Sequence, residues 1–121
     1  METRVQHQKQ LQYAEVYISD MLELKEIFLR AQNTATVHKD FGIPFLLAKE
    51  KDNILSFASL VINEQGEIEC KAYHRAETTE PEKRIFDYKS EEYCQRNTTA
   101  NFRNPEQLKR SIESMVSWLN F

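Results

Sequence analysis

Only two glycines, Gly42 and Gly66, occur in 121 residues, and that scarcity excludes the usual phosphate-binding folds. A nucleotide or dinucleotide loop needs several glycines close together, because backbone amides must turn toward phosphate without a Cβ in the way. Cysteine is equally sparse. Cys70 and Cys94 lack the paired Cys or His spacing of a zinc site and are expected to be free thiols in a reducing compartment. His7, His38 and His74 stand far apart, none with a carboxylate or second histidine at helical metal spacing, so no metal is expected. No apolar run approaches the roughly 18 residues of a membrane span. The opening METRVQHQKQ lacks the apolar core of a signal peptide. A basic excess is missing too: Lys plus Arg total 16 against 19 for Asp plus Glu, and phosphate neutralisation wants a basic face. These absences lead us to expect a cytoplasmic protein with no nucleic-acid partner, no membrane partner and no cofactor.

What is present is an ordinary globular composition, 40% hydrophobic and 29% charged, on a length that suits a single domain over residues 1–121. Residues 10–31 placed at 100° intervals bring Leu11, Ala14, Tyr17, Ile18, Met21, Leu22, Leu24, Phe28 and Leu29 onto one arc of roughly 160°. The spacing predicts one long amphipathic helix. Lys25 falls inside the apolar arc, while Tyr13, Val16 and Ile27 fall on the far side and offer a second contact surface. Ile43 to Lys49 and Ile54 to Ile62 are apolar on both strand faces, as in strands covered from both sides. Glu50-Lys51-Asp52-Asn53 and Asn63-Glu64-Gln65-Gly66 read as tight turns, with Gly66 suited to a positive φ.

Glu67 to His74 alternates, with Ile68, Cys70, Ala72 and His74 on one face, so this third strand is expected near an edge with one wet face. Arg75 to Lys83 reads as a loop, since Pro81 excludes a central strand. Arg84 to Lys89 reads as a fourth strand, followed by a short helix from Ser90. Asn104-Pro105-Glu106-Gln107 supplies an N-cap and a first-turn proline for a helix reaching about Asn120. On that helix Leu108, Ile112, Met115, Val116, Trp118 and Leu119 share one arc. The predicted class is α+β: an antiparallel meander sheet of three to four strands, with a long N-terminal helix and a C-terminal helix packed on it. Cover on both faces comes either from one helix per face or from a second copy, and Tyr13, Val16 and Ile27 favour self-association as a homodimer.

Chemistry-bearing residues are few. Cys70 or Cys94 with His74 makes a conceivable nucleophile pair, but Cys70 reads better as a small core residue. Glu67 and Glu69 share a strand face and read as a solvated, aggregation-resisting edge rather than an acid and base. Tyr73, His74 and Arg75 form a polar cluster where a strand leaves the sheet, and with Lys25 they are the candidate contacts for a small ligand or partner.

Pro44 to Lys49, a charged turn, and Ile54-Leu55-Ser56-Phe57-Ala58-Ser59-Leu60 resemble the central hairpin of the GNAT acetyltransferase fold. The helix before it and the strand Gly66 to Tyr73 after it follow that family's order, so the resemblance covers residues 10–75. It implies the N-terminal half of that architecture. Family members carry a glycine where Ser56 stands and a Gly-rich loop, Q or R-x-x-G-x-G or A, whose amides hold the acetyl-CoA pyrophosphate. Here HRAETTEPEKRIF follows Tyr73 without one glycine. The chain is also similar in size, charge and element order to the small acidic secretion chaperones. The resulting expectation is a non-catalytic domain acting through protein interaction or self-association, with a degenerate GNAT-like domain that binds an acyl-CoA or similar ligand as the alternative.

Overall fold

The computed structural model describes residues 11–120, and His7 lies outside them. In chain order the elements are β1 (Leu11–Glu15), α1 (Met21–Gln32), β2 (Ile43–Glu50), β3 (Asn53–Ile62), β4 (Ile68–His74), α2 (Glu80–Arg96), α3 (Ala100–Arg103) and α4 (Pro105–Leu119). The sheet is antiparallel in the order β1–β2–β3–β4, which establishes the α+β class and puts β4 at an edge as expected.

Two expectations are corrected. The long helix over 10–31 begins only at Met21, because residues 11–15 pair with the β2 edge instead, Leu11 opposite Glu50 and Glu15 opposite Leu46. The Asp20 carboxylate accepts the Tyr17 N–H at 2.8 Å and sets a 3₁₀ turn at Ile18–Asp20 that leads into α1. The buried stripe of α1 is Met21, Leu24, Ile27 and Phe28, rotated from the expected arc so that Ile27 goes in and Leu22 stays out.

The second correction concerns residues 80–96, which are one helix, so Arg84–Lys89 is not a strand. Thr79 Oγ1 accepts the Glu82 N–H at 3.3 Å, and Glu82 Oε1 accepts the Thr79 N–H at 2.8 Å. This reciprocal box, with Pro81 in the first turn where a missing N–H does no harm, starts the helix inside the expected loop. α4 forms as expected, with Asn104 Oδ1 accepting the Gln107 N–H at 3.1 Å.

Strand pleating sends alternate residues into two cores. Leu47, Phe57 and Tyr73 face α1, Phe41 and the C-terminal end of α4. Leu46, Ala48, Ala58 and Leu60 face Phe86 of α2 together with Leu108 and Ile112 of α4, with Phe102 of α3 packed against them. Register shifts in the β2–β3 ladder leave Phe45 and Leu55 as extra residues, so Phe45 and Leu46 join one core and Ile54 reaches the other. Helices of this one chain therefore cover both faces. Among the described residues no helix is long and apolar enough to cross a membrane.

Candidate functional site

Where β4 ends, the strand alternation divides Tyr73, His74 and Arg75 among three separate jobs. Tyr73 is buried; its ring meets Phe28 edge-on at 5.2 Å, and its O–H donates to the Asp40 carbonyl. Burial, aided by Asp40, raises its phenol above the ordinary tyrosine value. Arg75 donates from Nε to the Ile54 carbonyl at 2.7 Å and from Nη2 to Glu23 at 3.2 Å, with Glu26 at 3.6 Å. The Glu23 carboxylate also accepts the Ile54 N–H at 3.3 Å. Arg75 thus fastens α1 to the β3 end of the sheet through charge-assisted bonds.

On the opposite face, His74 Nδ1 lies 2.6 Å from Ser56 Oγ, and His74 Nε2 lies 3.6 Å from the Asp87 carboxylate. Burial holds the imidazole below the ordinary histidine value, with Lys83 assisting and Asp87 opposing. Asp87 favours a proton on Nε2, which leaves Nδ1 to accept the Ser56 hydroxyl proton. The sequence of serine, imidazole and carboxylate has the composition of a nucleophilic relay. Ser56, however, is only 2% exposed and stands between Ala48 and His74 across the sheet. An acyl carbon must come within about 3 Å of both the nucleophile and an oxyanion donor, and the sheet interior leaves no approach to Oγ. The relay links β3, β4 and α2.

Lys25 also has an internal partner: its ammonium donates to the Leu119 carbonyl at 2.5 Å, a cation placed on the C-terminal end of α4. Asn120 completes that end by accepting the Val37 N–H at 3.0 Å and donating to the Val37 carbonyl at 2.7 Å. Of the residues expected to mediate self-association, Ile27 is 1% exposed in the α1 core. Tyr13 stacks on Phe86 with the Lys89 ammonium 4.8 Å from its ring centroid, and Val16 packs against the α1 side. Among the described residues the large apolar side chains that remain outside are Tyr17, Ile18 and Leu22, at 67%, 76% and 77% exposure, with Trp118, Tyr88 and Ile85 elsewhere.

Sequence reasoning missed where the two thiols sit. Cys70 on β4 and Cys94 on α2 both line an open cavity of about 520 Å³ whose other walls include Leu60, Ile68, Phe102 and Arg103. The neighbouring Cys70 holds the Cys94 thiol below the ordinary value, with Arg103 assisting against burial and Glu91. The neighbouring Cys94 and burial push the Cys70 thiol up. Phe86, Ser90 and Cys94 recur every four residues, which would have aimed Cys94 at the sheet had the α2 start been recognised.

Glu67, Glu69 and Glu91 also line this cavity. Among the described residues no three His, Cys, Asp or Glu side chains gather as a metal site. The chain matches no family model, no curated protein and no solved structure.

Proposed function

We propose that the protein is a small non-catalytic module that works by self-association, as a homodimer joined near the start of α1. The observation that carries this reading is the exposure of Tyr17, Ile18 and Leu22. They follow directly on β1, an edge strand of the described sheet, and Ile18 and Leu22 lie one helical turn apart. A patch of apolar side chains beside a sheet edge favours an isologous contact, in which both copies bury the same surface. The polar candidates support the same reading, because Tyr73, His74, Arg75 and Lys25 all spend hydrogen-bonding groups on this chain's own backbone and side chains. The free state of both thiols suits a cytoplasmic setting.

Light scattering on the purified chain is expected to give twice the single-chain mass, falling to the single-chain mass in the Ile18→Glu, Leu22→Glu double variant with its circular dichroism unchanged. A wild-type mass equal to one chain over a wide concentration series ends this reading.

Acyl-CoA binding has less support. An incoming pyrophosphate would need backbone amides at the α2 start. There the Thr79 and Glu82 amides are held by the chain's own side chains, and Glu80 and Glu82 repel an anion. Acetyl-CoA should leave the melting temperature unchanged, whereas a ligand at 100 times its dissociation constant would add about 2.7 kcal/mol.

A further inference from the structure

We propose that the cavity between the start of β2 and the α2–α3 junction binds a small free quaternary ammonium, of the choline kind, against Tyr93 and Phe102 with Glu15 as its counter-charge. The cavity is open and measures about 380 Å³, and Glu15, Phe45, Tyr93, Thr99, Asn101 and Phe102 line it. A break in the strand pleat builds its floor. The register shift between Pro44 and Leu46 turns Phe45 to the α2 side together with Leu46, where regular alternation would send it to the other core. There the Phe45 ring stacks on Tyr93 at 5.4 Å between centroids and meets Phe102 edge-on at 5.3 Å, while Tyr93 and Phe102 lie 5.9 Å apart. Arg103 fastens α3 to the end of α2 by donating from Nη2 to the Cys94 and Gln95 carbonyls at 3.3 and 2.8 Å. Phe102 is thereby held against the other two rings before any ligand arrives.

Charge and hydration select the ligand. Among the described residues that line the cavity, Glu15 is the one charged group, so the field there favours a cation and disfavours an anion. Glu15 also accepts the Tyr93 O–H at 2.5 Å. That bond sets the carboxylate beside the ring and pushes electron density into it, and both effects strengthen the pull of an aromatic ring on a cation. Phe45 is buried, so the surface open to a ligand belongs to Tyr93 and Phe102, both half-buried. Because the rings touch one another, the cation lies on their outer surface rather than between them. A methylated ammonium suits such a surface: its methyl groups pack on the rings, and it is weakly hydrated. A primary ammonium or a metal ion would give up strong bonds to water that ring carbons do not replace. At the rim, the Thr99 hydroxyl donates to Asn97 Oδ1 at 2.8 Å, which directs its lone pairs to accept a hydroxyl on the ligand.

Titrating the isotope-labelled full chain with choline chloride, against sodium chloride at equal ionic strength, tests this through the amide resonances. The expected result is a saturable shift centred on Glu15, Tyr93, Thr99 and Phe102. Choline should bind about tenfold more tightly than its neutral isostere, in which a tert-butyl group replaces the trimethylammonium. Glu15→Gln keeps an acceptor for Tyr93 and should weaken choline severalfold, and Phe102→Leu should weaken choline more than the isostere. An unsaturated response, shifts centred elsewhere, or equal binding of choline and the isostere overturns the proposal, and the wild-type protein decides this whether or not Phe102→Leu folds. Undiminished choline binding by Glu15→Gln overturns the assigned counter-charge. Association with phosphatidylcholine vesicles in preference to choline overturns the assignment to a free ligand.

Discussion

Gly42 holds φ at 65° and ψ at −152°, a backbone state that residues with a Cβ avoid, and a Cβ built there would lie 2.2 Å from the Leu60 carbonyl oxygen. Strain and overlap act together, so Gly42→Ala should lower unfolding free energy by about 3 kcal/mol or more. Gly66 has a similar φ of 78° with open space around it, and Gly66→Ala should lose only about 1 kcal/mol. Urea unfolding of the two variants separates these effects. His74 makes a different statement about stability. Its folded value lies below the ordinary one because burial disfavours the imidazolium, so as pH falls the unfolded chain takes up the proton first. Its contribution is therefore complete above about pH 6.5, the unfolded value, and declines as pH falls from there toward the lower folded value. The His74→Gln variant should show a flatter fall in stability across that acidic window.

At the scale of the element, α2 is tied down by its first turn. Thr79 and Glu82 exchange hydrogen bonds at 3.3 and 2.8 Å, and removing the hydroxyl in Thr79→Ala should destabilise the protein by about 1 kcal/mol. Measured by denaturant midpoint, a loss near zero would mean that packing by Phe86 and Tyr93 alone sets the helix. The same box explains what was legible in the sequence. The strands from Ile43 to His74 and the helix from Pro105 carry strong local signals: apolar runs closed by turns, and an asparagine cap. Thr79-Glu80-Pro81-Glu82 carries a helix-start signal as well, but Pro81 reads equally as a strand breaker, so the sheet-covering helix divides in the sequence into a loop, a strand and a short helix from Ser90, of which only the last agrees with the helix observed. Residues 11–15 fit both a 3.6 and a 2.0 period over so short a span that tertiary pairing with β2 decided between them. The candidate residues at the end of β4 were legible as polar groups, whereas Ser56, Asp87 and Glu23 as their partners depend on which strand and helix lie alongside. The two thiols were hidden for the same reason: Cys94 and Cys70 come to line one cavity only once α2 lies over the sheet.

For the whole molecule, α4 contributes to both cores. Leu108 and Ile112 lie on the α2 side of the sheet, Leu119 lies on the α1 side, and Val116 packs against both. Lys25 and Asn120 then fix the far end of α4 to α1 and to Val37. Damage at that end should propagate. Lys25→Met leaves the Leu119 carbonyl without its cation, and native-state hydrogen exchange is expected to lose protection in the α2-side strands by the same factor as in α1. Unequal loss would mean that the two sides open separately. Because one helix spans both halves of the core, the sheet has no stable half-folded state with one face covered. Calorimetric and van't Hoff enthalpies of unfolding should therefore agree, as for a protein that melts in a single cooperative step.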